Sequence, residues 1–315
     1  VFEGYLAPAH LSPPKLDLAS FLSSHPEFTT DTEQLEEAKR EAPFLEATLA
    51  RFIRLLEGSP TEPFRFEDKR AELVARHPIY RTDLYRAAAF EGLPKLGRAQ
   101  LRTMREPFGY DPSGKQTIYA LRTSGTSGAP LTVVYSARFM FQDIYLSRIR
   151  SALRAGLRAL GTRPVFSVLL TDNPRHRNVI NPHPLGFVGP SVVVHLSNND
   201  RAQQMRALEL LTELNPEMIA TKPNIFRLLL ETCIREQVTP SFHPRFTLSS
   251  GSMLTDDLRA DLHRFFDCPV VNSYLTSELG YVGSECPAGK MHLDESFHDA
   301  FEVLDAGGNH VADGE

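Results

Sequence analysis

Between residues 117 and 135 the chain reads TIYAL, RTSGTSGAP and LTVVY, two short apolar runs around nine mostly small and polar residues. Ile118, Tyr119, Val133, Val134 and Tyr135 favour extended backbone, so the pattern predicts two strands joined by a loop or tight turn. Downstream, Ala137 to Leu160 carries apolar positions at helical spacing and predicts one amphipathic helix over a sheet. VFSVLL (165–170) and VVVHL (192–196) read as buried strands, with a long Pro-rich loop between them. A helix from SNNDRAQQMRALELLTEL, a strand in PEMIATKP and a helix in NIFRLLLETCI follow. RFTLSSGSM predicts a strand ending in a small-residue loop. TDDLRADLHRFF predicts a helix with Thr255 as N-cap and Asp256 and Asp257 in its first turn, and CPVVNSYLTSELG turns strand-like again. This alternation predicts an α/β sheet.

The start of the chain has a different pattern. PAHLSPPKL predicts an irregular opening, and DTEQLEEAKREAPFLEATLARFIRLLEG predicts a helix or helix pair interrupted near Pro43. Leu45, Leu49, Phe52, Leu55 and Leu56 form an apolar stripe suited to packing. The expected organisation is a helical N-terminal extension or cap over 1–69 and an α/β core over 70–315.

In an open α/β sheet the ligand crevice lies beyond the strand C-termini, which singles out three loops. Thr123, Ser124, Thr126 and Ser127 offer hydroxyls, and Gly125 and Gly128 allow close backbone approach, so this loop can hold phosphate oxygens. The same residues also make an ordinary surface hairpin. The stretch is not a Walker-type loop, because Ala129 and Pro130 follow the last glycine where a Lys would stand. The second loop follows RFTLSS, and the third spans Asn272 to Glu278. There, Tyr274 can stack on a flat ring, Ser277 can hydrogen-bond and Glu278 can neutralise a cation carried by phosphates. Tyr274 also suits a core or rim position, and Glu278 a solvated helix start. In the long loop, Arg175, His176, Arg177 and His183 are candidates to meet an anionic substrate, or form a solvated surface.

Composition narrows the function classes. With 39 acidic and 34 basic residues the formal charge is −5, and no long basic block supports nucleic acid or an anionic membrane as partner. Cys233, Cys268 and Cys286 are too few and too odd for a disulfide framework, which predicts a reducing, cytoplasmic setting. No apolar run is long enough to span a bilayer.

Taken in order, RTSGTSGAP, SSGSM and SYLTSELG resemble the phosphate loop, the adenine-binding loop and the Y-G-x-T-E-like segment of the phenylacetate-CoA ligase branch of the adenylate-forming enzymes. CapK-like proteins and coenzyme F-390 synthetase are similar too. The resemblance covers about residues 70 to 315. It implies a large N-terminal domain of an adenylate-forming enzyme, with a helical segment added in front and the small C-terminal domain absent, the chain being cut before it.

Carried over, Thr123, Ser124, Gly125, Thr126, Ser127 and Gly128 would grip ATP phosphates. Ser250, Gly251 and Ser252 would line adenine and ribose, Tyr274 would pack on adenine, Ser277 would approach the adenylate phosphate, and Glu278 would help hold Mg. The implied reaction is ATP- and Mg-dependent adenylation of a carboxylic acid, aromatic acids leading. Transfer to CoA or a carrier-protein thiol would follow in a longer chain, and a homodimer is compatible with the resemblance. Two positions depart from the pattern: Ala129 replaces a frequent Lys, and Leu275 replaces the Gly after the stacking Tyr. Cys286 and His292, with five residues between them in CPAGKMH, resemble half of a zinc site that some relatives complete with later cysteines; a buried free thiol and a loop histidine are the simpler reading of the two residues. The alternatives are a non-catalytic or regulatory nucleotide-binding domain and a partner-assembly module built on the N-terminal helices.

Overall fold

The alternating apolar runs assemble into a nine-stranded mixed sheet in the computed structural model, which describes residues 5, 16–60, 97, 101, 118–123, 130–172, 178–294, 303–305, 307, 309 and 311. In chain order the strands are β1 (Phe28–Thr29), β2 (Ile118–Arg122), β3 (Thr132–Ser136), β4 (Ser167–Thr171), β5 (Asn178–Asn181), β6 (Ser191–His195), β7 (Met218–Thr221), β8 (Phe246–Ser250), β9 (Val270–Thr276), β10 (Gly280–Glu285) and β11 (Met291–Leu293). The large sheet runs β1-β5-β6-β4-β7-β8-β9-β10-β11, while β2 and β3 pair separately as an antiparallel hairpin. Its centre, β6-β4-β7-β8-β9, is parallel. β5, β10 and β11 join antiparallel neighbours.

The helices are α1 (Leu18–Ser24), α2 (Thr32–Arg40), α3 (Ala42–Leu56), α4 (Ala137–Phe141), α5 (Ser147–Arg154), α6 (Arg201–Leu214), α7 (Pro223–Glu236) and α8 (Asp256–Phe266). Their starts follow local chemistry. Asp200 caps α6 through the Gln203 amide, and Thr255 caps α8 through the Leu258 amide, leaving Asp256 and Asp257 in the favourable first turn. Glu41 separates α2 from α3, whose first turn holds Pro43, where a missing amide costs nothing.

Strand side chains alternate between two cores. Val168, Leu170, Val192, Val194 and Ile219 pack with Leu208, Leu211, Phe226, Leu229, Leu262 and Phe266 of α6, α7 and α8. Met218, Ala220, Phe246, Leu248 and Val271 face the other way, onto Leu45, Leu49, Phe52 and Ile53 of α3 and Ile149 and Leu153 of α5. The N-terminal apolar stripe therefore closes one face of the sheet, and β1 extends the sheet edge by pairing with β5.

Three local features differ from expectation. The helix predicted over Ala137 to Leu160 is interrupted by a five-residue π turn, Gln142–Leu146, and ends at Arg154. β5 forms inside the Pro-rich segment, where pairing with β6 overrides weak strand propensity. α1 forms just past the irregular opening, its first turn capped by Asp17. No helix among the described residues is long and apolar enough to cross a membrane.

Candidate active site

The chain leaves β4 for β6 on one side and returns to β7 on the other, so the sheet has a topological switch point at β4 and β7. In open α/β sheets the ligand crevice opens beyond the strand ends at such a point. Register then sets the neighbours. Thr221 at the end of β7 lies opposite Ser249, and Ser250 at the end of β8 lies opposite Ser273, one residue before Tyr274. The loop after β8 and the turn after β9 are thus adjacent despite their separation along the chain.

Ser250 is half-buried, while Gly251 and Ser252 are exposed. Gly251 has φ +81°, a left-handed conformation that glycine adopts without strain. Tyr274 is 51% exposed at the crevice, a large aromatic surface that the core does not use. Beyond it, Thr276 Oγ1 accepts the Leu279 amide at 3.0 Å and closes the turn that carries Ser277 and Glu278. Ser277 is exposed and Glu278 half-buried. Leu275 lies opposite Tyr281 and is half-buried, beside the exposed Tyr274.

The first loop belongs to the β2–β3 hairpin. Arg122 pairs with Thr132, the Thr123 amide donates to the Leu131 carbonyl, and Thr123 Oγ1 accepts the Leu131 amide, both at 2.9 Å. Thr123 is buried and serves as the latch at the base of the loop. Ser124, Gly125, Thr126, Ser127 and Gly128 lie outside the described residues, as do Ala129, Arg175, His176 and Arg177. On β3, the Tyr135 hydroxyl donates to the Ser277 carbonyl and ties the hairpin to the Glu278 turn. Burial, followed by the charges of Asp143 and Glu278, pushes the Tyr135 phenol well above its ordinary range and keeps its proton in place.

Two residues here had no assigned role in the sequence. Asp143 sits in the π turn behind the Glu278 turn, and its Oδ1 would lie 3.2 Å from a Cβ built on Gly280. That oxygen is shut off from solvent, and burial pushes the carboxyl up to about 6 against the opposing pull of the Tyr281 amide and Arg148. The available signal was a lone acid among the apolar positions of FMFQDIYL. Lys222 follows β7 directly, and its stem runs over Gly251, with Cγ, Cε and Cδ at 3.5, 3.8 and 3.9 Å from the absent Cβ. A Lys before Pro at a strand end was visible, but its neighbour across the sheet was not.

His183 lies inside the fold. The Leu185 amide donates to Nδ1 at 3.3 Å, and Nε2 faces the Tyr145 carbonyl at 3.3 Å. Burial pushes its pKa down to about 4, so it is a neutral packing histidine and not a cation for an anionic substrate. Cys286 and His292 belong to the β10–β11 hairpin, at the end of the sheet opposite the crevice. Among the described residues no group of three or more His, Cys, Asp or Glu side chains could hold a metal ion.

No family model and no curated protein matches the chain. Solved structures do. A 2-hydroxyisobutyryl-CoA ligase in the postadenylation state, in complex with R3-HIB-AMP, superposes with TM-score 0.57 at 14% identity, over 78% of this chain and 56% of that one. The open conformation of that ligase, with 2-HIB-AMP and CoA, gives TM-score 0.53 at 13% identity over 72% of this chain and 56% of that one. The chain thus spans little more than half the length of the ligase it matches, and shares the α/β fold of that part.

Proposed function

We propose that this chain forms the nucleotide-binding part of an enzyme that uses ATP and Mg to adenylate a carboxylic acid, giving acyl-AMP and pyrophosphate. The observation that carries the reading is the convergence of Ser250–Ser252, Tyr274 and the Ser277–Glu278 turn beyond the ends of β8 and β9, with the latched hairpin tied to that turn by Tyr135. The ligase fold and the order of the three sequence segments support it.

Each residue fits a role in that reaction. The exposed Tyr274 ring offers a stacking face for adenine, and the exposed loop at Gly251 would line the ribose. Ser277 is an exposed hydroxyl that would approach the α-phosphate, and the Thr123-latched loop would hold the remaining phosphates. Glu278 fits a Mg ion as an oxygen ligand that would share it with phosphate, and Mg would offset the charge of the triphosphate. No protein nucleophile is needed: the substrate carboxylate attacks the α-phosphorus, and pyrophosphate leaves. The chain's contribution is positioning and electrostatic stabilisation. Transfer of the acyl group to CoA or another thiol would complete the reaction in a longer protein. Aromatic acids are the first substrates to try, on the strength of the sequence resemblance alone.

The test is acid-dependent pyrophosphate release, by this chain and by any longer source polypeptide, across a panel of carboxylic acids. Glu278→Gln keeps the side-chain shape and removes the charge, so Mg-dependent release should fall by about 100-fold or more with the circular dichroism unchanged. Equal activity of the variant across a Mg titration would refute the role of Glu278. ATP binding without turnover of any acid would favour a regulatory nucleotide-binding domain.

A further inference from the structure

A bound triphosphate carries several negative charges, and a cation beside it would offset them. Residues 222, 251–255 and 277–279, which follow β7, β8 and β9, contain one cation, Lys222, and one anion, Glu278. We propose that Lys222 is a phosphate-binding residue of the crevice, its ammonium pairing with phosphate oxygens of the bound nucleotide. The inference rests on the adenylation reading and adds to it a residue outside the three sequence segments that suggested it.

The backbone at Lys222 is held on both sides. Thr221 is buried, and its hydroxyl donates to the Leu170 carbonyl at 2.6 Å, fixing the end of β7 to β4 at the switch point. Pro223 is buried in the first turn of α7 and restricts the residue before it to extended conformations, as φ −78° and ψ 153° show. From this anchored position the Lys222 stem follows the loop after β8: three of its carbons lie within 4 Å of the place where Gly251 lacks a Cβ. That loop would line the ribose, whose 5′-oxygen carries the α-phosphate.

Local structure does not account for a lysine here. Lys222 is the N-cap of α7 and makes no side-chain capping hydrogen bond there. A cation at a helix N-terminus meets the positive end of the helix dipole, the unfavourable end for it. It takes part in no ion pair among the described residues, and its exposed side chain adds nothing to the core. An anion placed beyond β7 and β8 would meet the ammonium and the α7 amides together, which turns a local misfit into a favourable arrangement.

Isothermal titration calorimetry with MgATP and with adenosine tests this on wild type, Lys222→Met and Lys222→Arg. Methionine keeps the stem over Gly251 and removes the charge. The expected result is an approximately tenfold weaker affinity of Lys222→Met for MgATP, an adenosine affinity within about twofold of wild type, and MgATP affinity largely retained by Lys222→Arg. MgATP affinity of Lys222→Met within about twofold of wild type would overturn the proposal, and so would an equal loss for adenosine, which has no phosphate. If Lys222→Met is unchanged while Glu278→Gln loses Mg-dependent pyrophosphate release, the Lys222 assignment fails and the adenylation reading stands. If wild type binds neither ligand, both fail.

Discussion

Acidification should destabilise this protein through His183, and the structure gives the size of the effect. His183 is buried, accepts the Leu185 amide at Nδ1, and presents Nε2 to the Tyr145 carbonyl, so one proton sits on Nε2 and the other nitrogen is committed as an acceptor. A second proton would have to displace the Leu185 amide and bring a charge out of water beside Arg148. Burial accordingly depresses the pKa to about 4, Arg148 adding to the effect and the Tyr145 carbonyl opposing it. In the unfolded chain the ring titrates near 6.5. Between these values the unfolded state binds more protons than the folded state, so stability is full above pH 6.5 and falls as pH drops toward about 4. Integrated from pH 7 to pH 5, the loss is about 2 kcal/mol.

Urea unfolding at pH 7 and pH 5 measures it, on wild type and on His183→Gln. Wild type should lose about 2 kcal/mol more than the variant over that interval, because every other titrating group is common to both. If the variant does not fold, histidine proton resonances of wild type give the same answer, with one ring titrating far below the rest. Parallel losses in the two proteins, or an ordinary titration for every ring, would refute the buried neutral state.

Gly280→Ala should destabilise the Glu278 turn: at φ +67° an added Cβ is strained and lies 3.0 and 3.1 Å from Phe139 ring carbons, for a cost of about 3 kcal/mol in urea unfolding. A change below about 1 kcal/mol would show that the turn is not packed this way. Glu217→Ala should cost about 3 kcal/mol by the same assay, since Glu217 is fully buried, accepts the Gly161 and Thr162 amides at 2.9 and 3.2 Å, and pairs with Arg245. Restoration of that stability by Glu217→Gln would show that the amides matter and the charge does not.

Elements whose stability is local were legible in the sequence. The α8 segment carries its own cap at Thr255, acids in the first turn and an apolar stripe, and β7 and β8 are short runs buried on both faces. Elements that exist through their partners were not legible. Phe28 and Thr29 form a strand because β5 is beside them, and β5 forms because β6 is beside it. The π turn at Gln142–Leu146 leaves no mark in hydrophobic spacing, since Tyr145 and Leu146 remain buried while one extra residue is absorbed. That absorption helps place Asp143 against Gly280, so the break in the predicted helix falls where it touches the proposed site.

The site followed the same division. Each small-residue loop could be read as a strand end with polar content, but their convergence depends on strand order, which single segments do not encode. Ser250 approaches Tyr274 only because β8 lies beside β9, and Lys222 approaches Gly251 only because β7 lies beside β8. The hairpin is outside that sheet, and Tyr135 supplies its connection. With burial and two nearby carboxylates holding its proton, the phenol keeps its O–H at ordinary pH and can keep donating to the Ser277 carbonyl. The acids near this turn therefore do different work: the raised pKa of Asp143 reflects an acid kept from water behind the turn, whereas the half-buried Glu278 stands at the crevice, where a cation would meet it.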